Sequence, residues 1–111
     1  MISSYLPYPL HSGGQVRLYN LLNELAHKHE ITLICEKRHH QTAEDLQEVK
    51  KICKNVITVP RVKQWSVKNV VKAAASMHSF LVTGHTHPKM RQTIMDELVR
   101  ENYDLIHVET F

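Results

Sequence analysis

Two adjacent glycines inside a polar turn carry the strongest chemical signal in this chain. Residues 7–29 read PYPLHSGGQVRLYNLLNELAHKH and run at once into the apolar segment EITLIC. A Pro-rich turn therefore leads to Gly13 and Gly14, then to an amphipathic helix, then to a buried strand. Glycine has no Cβ, so a large anionic group can come close to the backbone N–H donors at such a helix start. The helix N-terminus adds positive partial charge at the same place. The segment reads as the opening turn of a nucleotide-handling α/β domain. The competing reading is a tight turn that needs glycine only for positive φ. Ser12 is the expected N-cap, with substrate contact as the alternative. His11 either touches substrate or is an exposed loop side chain. Arg17, one turn further on, either adds charge at a cleft or is a solvated or ion-paired surface residue.

The other chemically capable residues give weaker patterns. Nine histidines occur, in the pairs His27/His29, His39/His40 and His85/His87 and singly at His11, His78 and His107. No pair lies at i, i+4 with a carboxylate between, as an HExxH zinc helix requires, and no Cys/His set has zinc spacing, so no metal is expected. Cys35 closes an apolar strand and Cys53 lies on an apolar helix face, which predicts buried, reduced thiols. No serine has the Gly-x-Ser-x-Gly setting of an activated nucleophile. His107 falls inside an apolar strand and is expected as a packed core histidine. Glu109, at that strand's carboxyl end, is placed for a role in a cleft.

These residues must be positioned by a small α/β framework. The chain has 111 residues, enough for one modest core. It is 42% hydrophobic and 23% charged, ordinary for a soluble globular chain. A formal charge of +3 suits an anionic ligand or membrane surface but is too weak to indicate nucleic-acid binding. No apolar run approaches the roughly 18–20 residues of a membrane span, and no secretory leader pattern is present, so a cytoplasmic location is expected.

Hydrophobic periodicity predicts a strand over Met1–Ser4, a helix from about Gly14 to Lys28, and a strand over Ile31–Cys35. A polar, basic loop spans Lys37 to Gln41. A second helix opens at Thr42 with Asp45 as a variant capping box, and buries Leu46, Val49, Ile52 and Cys53. A strand follows over Val56–Val59. Further helices are predicted over 66–80 and from Pro88, the latter with Met90, Ile94, Leu98 and Val99 as its apolar stripe. The last strand spans Asp104–Val108 and is expected to be buried.

This order implies a Rossmann-like α/β sandwich of three layers with a parallel sheet in the order 3-2-1-4. The first and fourth strands then meet at the topological switch point, where ligands bind beyond the carboxyl ends of strands. The loop Tyr5–Gly14 and the residues Glu109, Thr110 and Phe111 line that crevice. The first strand is short by several residues for a doubly buried one, and no helix is predicted after the last. The chain therefore reads as one partial domain, 1–111, incomplete at both ends. Its uncovered sheet face and last strand predict self-association of the isolated polypeptide.

The pattern P-Y-P-L-H-S-G-G-Q-V-R-L-Y-N-L-L-N-E-L, followed by H-E-I-T-L-I, resembles the N-terminal domain of the family-4 (group 1) glycosyltransferases of the GT-B fold. The second match is the helix Pro88–Asn102 leading into Y-D-L-I-H-V-E-T-F. The resemblance spans almost the whole chain, and about the first two-thirds of that family domain. It implies the acceptor-side domain of a retaining enzyme that moves a sugar from a nucleotide diphosphate sugar to an acceptor hydroxyl, in cell-envelope polysaccharide or glycolipid synthesis. The C-terminal donor domain is then absent and the fragment alone inactive. Gly13 and Gly14 would approach the donor diphosphate, with Arg17 and His11 beside them and no further cofactor. Glu109 stands where many relatives have a second histidine near the transferred sugar, and is the candidate catalytic residue. Acceptors in this family are often lipid-linked. The basic, Trp-containing stretch Arg61, Lys63, Trp65, Lys68 and Lys72 is accordingly a candidate peripheral contact with the inner face of the membrane, against the plainer reading of a solvated helix face. The alternative function is a stand-alone, non-enzymatic α/β module that binds a nucleotide or a protein. A flavodoxin-like or receiver domain fits less well: no acidic pair follows the first strand and no Ser/Thr-rich phosphate loop is present.

Overall fold

The computed structural model describes residues 1–61 and 88–109. The chain divides into two compact units, one made of Met1–Arg61 and Tyr103–Phe111, the other of Val62–Asn102. The first unit holds a sheet and two helices. In chain order these are β1 (Ile2–Ser3), α1 (Gly13–Ala26), β2 (Thr32–Lys37), α2 (Ala43–Lys50), β3 (Asn55–Pro60) and, after the second unit, β4 (Val108–Glu109). All strand pairs are parallel and the order is β3-β2-β1-β4. This is the expected Rossmann-like α/β arrangement, with helices flanking a parallel sheet.

The register assigns every side chain to a face. Ile2 pairs with Ile34 and Val108, and Ser3 pairs with Cys35 and Glu109. Side chains alternate along a strand, so Ser3, Cys35 and Glu109 share one face. Cys35 and Leu33 of β2 belong to a core with Leu6, Leu18 and Leu22, Ile31, Val49 and Cys53. That face is therefore the one covered by α1 and α2, and Glu109 points to their side of the sheet.

Both helices begin where the sequence sets a cap. Ser12 Oγ accepts from Gln15 N at 3.3 Å. Thr42 Oγ1 accepts from Asp45 N at 3.3 Å, while Asp45 Oδ2 accepts from Thr42 N at 2.7 Å, closing the capping box. Several boundaries differ from expectation: α1 ends at Ala26 rather than Lys28. β2 runs two residues further, to Lys37; α2 ends at Lys50, so Ile52 and Cys53 lie beyond it; and β3 starts at Asn55 rather than after it.

The last strand corrects the sequence reading. Leu105, Ile106 and Val108 are exposed rather than buried. β4 is the edge of the described sheet and its only ladder is with the two residues of β1. The strand itself covers only Val108–Glu109, so Asp104 to His107 of the predicted strand lie before it, and the apolar run marked neither its bounds nor its burial.

In the second unit, α3 (Pro88–Arg100) starts at Pro88 as expected. Its buried residues are Met90 and Glu97, whereas Leu98 is exposed and Val99 is 86% exposed. Met90, Ile94 and Glu97 follow i, i+4, i+7 spacing, so the face that turns inward carries a carboxylate, which is paired with Arg100. The helix predicted over 66–80 lies outside the described residues, as do Lys63, Trp65, Lys68 and Lys72.

Candidate functional site

The carboxyl end of β1 leads into a loop that is fastened at several points. Ser3 Oγ donates to Tyr5 O at 3.1 Å and accepts from Tyr5 N at 3.3 Å, which turns the chain out of the strand. Leu6 N still donates to Glu36 O of β2 at 2.9 Å. The Tyr8–Pro9 peptide is cis, and the Tyr8 ring lies 5.9 Å from that of Tyr19 on α1.

A buried side chain from the next crossover holds this loop. Gln41 Nε2 donates to Tyr8 O at 2.7 Å and to Leu6 O at 3.2 Å, and Gln41 Oε1 accepts from Arg38 N at 2.8 Å. Gln15 Nε2 approaches Leu6 O from α1 at 3.5 Å. The sequence reading placed Gln41 in a polar loop and gave it no role. Its two carbonyl partners lie more than thirty positions away, and no local pattern encodes that.

The glycine pair opens α1 and neither residue has positive φ. The tight-turn explanation is thereby removed. A Cβ on Gly14 would stand 3.0 Å from Tyr5 Oη, so the approach of the Tyr5 ring accounts for that glycine. Nothing lies within 4 Å of a Cβ placed on Gly13. Of the N-terminal donors that a helix leaves open, the Ser12 side chain takes Gln15 N, while Val16 N makes the first intrahelical bond, to Ser12 O at 3.0 Å. The N–H groups of Gly13 and Gly14 have no partner among the described residues. They form a positively polarised helix start, open beside Gly13 and closed by the Tyr5 ring beside Gly14. His11 is exposed in the loop just before.

Across from this opening, α1 is tied to β4. Arg17 forms an ion pair with Oε1 of Glu109. Glu109 Oε2 stands 3.1 Å from Nε2 of His107. Glu109 is buried with its side chain 7% exposed, while Arg17 is 66% exposed. The ion-paired alternative for Arg17 is the one observed. His107 is not the core residue expected; it lies just before β4 rather than inside a buried strand, and its side chain is 43% exposed. The structure thus brings Gly13, Gly14, Arg17 and Glu109 to the carboxyl ends of the neighbouring strands β1 and β4. Thr110 and Phe111 lie outside the described residues.

The thiols stand apart from this site. Cys35 and Cys53 are buried and unbonded. Burial, with the nearby Cys53 and Glu36, pushes Cys35 up to about 12, and burial pushes Cys53 up to about 11. Neither is a nucleophile at neutral pH. Arg61 places its Nε 3.8 Å from Oε2 of Glu36. Among the described residues no set of His, Cys, Asp and Glu is gathered for a metal ion, and no helix is long and apolar enough to cross a membrane. Comparison of the chain with protein-family models, with curated proteins and with solved structures finds no match.

Proposed function

We propose that this chain is part of the acceptor-side domain of a retaining glycosyltransferase, one that moves a sugar from a nucleotide diphosphate sugar to an acceptor hydroxyl. The observation that carries the reading is the pair of unengaged amides at Gly13 and Gly14, at the start of α1 and beside the β1/β4 switch point. In such a transfer, negative charge grows on the leaving diphosphate. Fixed N–H donors at a helix N-terminus stabilise it without reorganising. The resemblance of the opening segment and of the last strand to family-4 glycosyltransferases supplies the reaction class. Donor binding would need a second domain, so the fragment alone is inactive. His11 and Arg17 flank the diphosphate approach. Arg61 with Lys63, Trp65, Lys68 and Lys72 would favour the inner membrane surface, where lipid-linked acceptors of cell-envelope synthesis are held.

The test begins with the coding DNA on both sides of residues 1–111. The whole reading frame is then expressed and given a panel of nucleotide diphosphate sugars, with released nucleoside diphosphate as the readout. Support is acceptor-dependent release that falls at least tenfold in Gly13→Val. A frame that stops shortly after Phe111, or a full-length product that binds no nucleoside diphosphate, overturns the reading in favour of a non-enzymatic binding module.

A further inference from the structure

Glu109 is buried, but the two groups it holds are not. Its Oε1 is paired with Arg17 and its Oε2 lies 3.1 Å from His107 Nε2. The adjacent guanidinium favours the ionised carboxylate. An ionised carboxylate only accepts hydrogen bonds, so the Nε2 that faces it carries the proton. A neutral imidazole protonated on Nε2 keeps its lone pair on Nδ1. Among the described residues Nδ1 of His107 has no hydrogen-bond partner. In the neutral imidazole the result is a carboxylate, a ring held in one tautomer, and an acceptor nitrogen left open on a half-exposed side chain.

His107 directly precedes β4 and reaches Glu109 through its Nε2, while the ion pair to α1 holds the carboxylate from the other side. Both oxygens of Glu109 are therefore engaged, and the free valence of the group has moved to His107. A cationic donor arriving there would meet Arg17. A neutral O–H donor would not.

We propose that His107 is a hydroxyl-binding residue whose Nδ1 accepts a hydrogen bond from a sugar or similar polyol. Glu109 is its positioning residue, and Arg17 keeps the carboxylate charged and in place. The proposal rests on the reading of the crevice beyond β1 and β4 as a sugar-handling site. It also shifts substrate contact from Glu109 to the residue two positions before it.

Long-range proton–nitrogen spectra of the nitrogen-15-labelled full chain test the first half. His107 is expected predominantly as the Nε2–H tautomer, becoming a mixture in Glu109→Ala. A dominant Nδ1–H form, or a tautomer that Glu109→Ala leaves unchanged in a folded protein, overturns the positioning role. Should Glu109→Ala fail to fold by circular dichroism, Arg17→Gln provides the same reading through a weakened hold on the carboxylate. The second half uses methyl α-D-glucopyranoside as probe. Its titration should shift the His107 ring signals and the Val108 and Glu109 amides, with the amide shifts lost in His107→Phe and apparent affinity roughly tenfold weaker in Glu109→Ala. No shift up to high millimolar sugar overturns the hydroxyl-binding role. A uridine diphosphate titration run in parallel separates the two proposals. Sugar-induced shifts at His107 without diphosphate-induced shifts at Gly13 and Gly14 support His107 and count against the glycosyltransferase reading.

Discussion

Replacing Gln41 is expected to loosen the loop that carries the glycine pair. The side chain is buried and makes three hydrogen bonds, accepting from Arg38 N and donating to the carbonyls of Leu6 and Tyr8. Alanine removes all three. A buried backbone group left without its partner costs about 1–3 kcal/mol. Leu6 O retains the long contact from Gln15 at 3.5 Å, so Gln41→Ala should cost about 2–4 kcal/mol in total. That is a large share of the roughly 5–15 kcal/mol that holds a domain folded.

Gln41→Glu separates donor loss from loss of packing. Glutamate has nearly the same shape and still accepts from Arg38 N. When ionised it turns two acceptor oxygens toward two carbonyls. Burial and those carbonyls raise the folded-state pKa of this carboxyl above its unfolded value of about 4.3. The variant should therefore be closest to wild type below that pH and lose stability as pH rises through the folded pKa. Urea unfolding followed by circular dichroism between pH 4 and 8 measures both variants. Amide exchange gives the local readout, with Arg38 N–H exchanging faster in Gln41→Ala while the β2–β3 ladder stays protected. Gln41→Ala within about 0.5 kcal/mol of wild type, or a Gln41→Glu variant with no pH dependence relative to wild type, would refute the reasoning.

Other substitutions give opposite signs at neighbouring positions. Gly13→Ala should raise stability by about 0.4–1 kcal/mol, since the site is helical with open space, whereas Gly14→Ala gains less because its Cβ meets Tyr5 Oη; thermal melts of the two compare them directly. Arg17→Ala should cost about 1–3 kcal/mol because it leaves a buried carboxylate with His107 alone, while Glu109→Gln, which leaves a solvated guanidinium and a half-exposed imidazole, should cost less than about 1 kcal/mol. Equal losses in urea titrations would show that the asymmetry in burial has no energetic consequence. Cys35 and Cys53 bind their protons more tightly when folded than at the ordinary thiol value of 9.0. Stability is then full below pH 9 and falls above it by about 1.4 kcal/mol per pH unit per thiol, and Cys35→Ala should flatten that slope.

Much of this architecture was legible because it is written locally. Ser12 and Thr42 announced the helices they cap, and the short apolar strands separated by helices gave the parallel sheet and its order. Distance along the chain hid the rest. Gln41 bonds to a loop folded back from the previous crossover, so its neighbours in sequence are uninformative. Glu97 fits the inward spacing of α3, but charge excludes it from any apolar stripe until Arg100 is seen beside it. His107 was misjudged because a run of apolar residues was equated with burial, although the inferred strand order already placed β4 at an edge. The Arg17–Glu109 pair joins the first helix to the last strand, a juxtaposition that topology suggested and only side-chain positions established.

The position of β1 has a consequence for how the sheet assembles. β2 and β3 are close in sequence, pairing residue 32 with residue 55, and can meet after closing a short loop. β1 joins β4 by pairing residue 2 with residue 108. That contact closes a loop of about a hundred residues and repays its loop entropy with only a two-residue ladder. The β2–β3 pair is therefore the natural nucleus, and β4 docks late. On unfolding the order reverses. The edge that carries His107 and Glu109 opens first, so the site is drawn from the least cooperative part of the sheet.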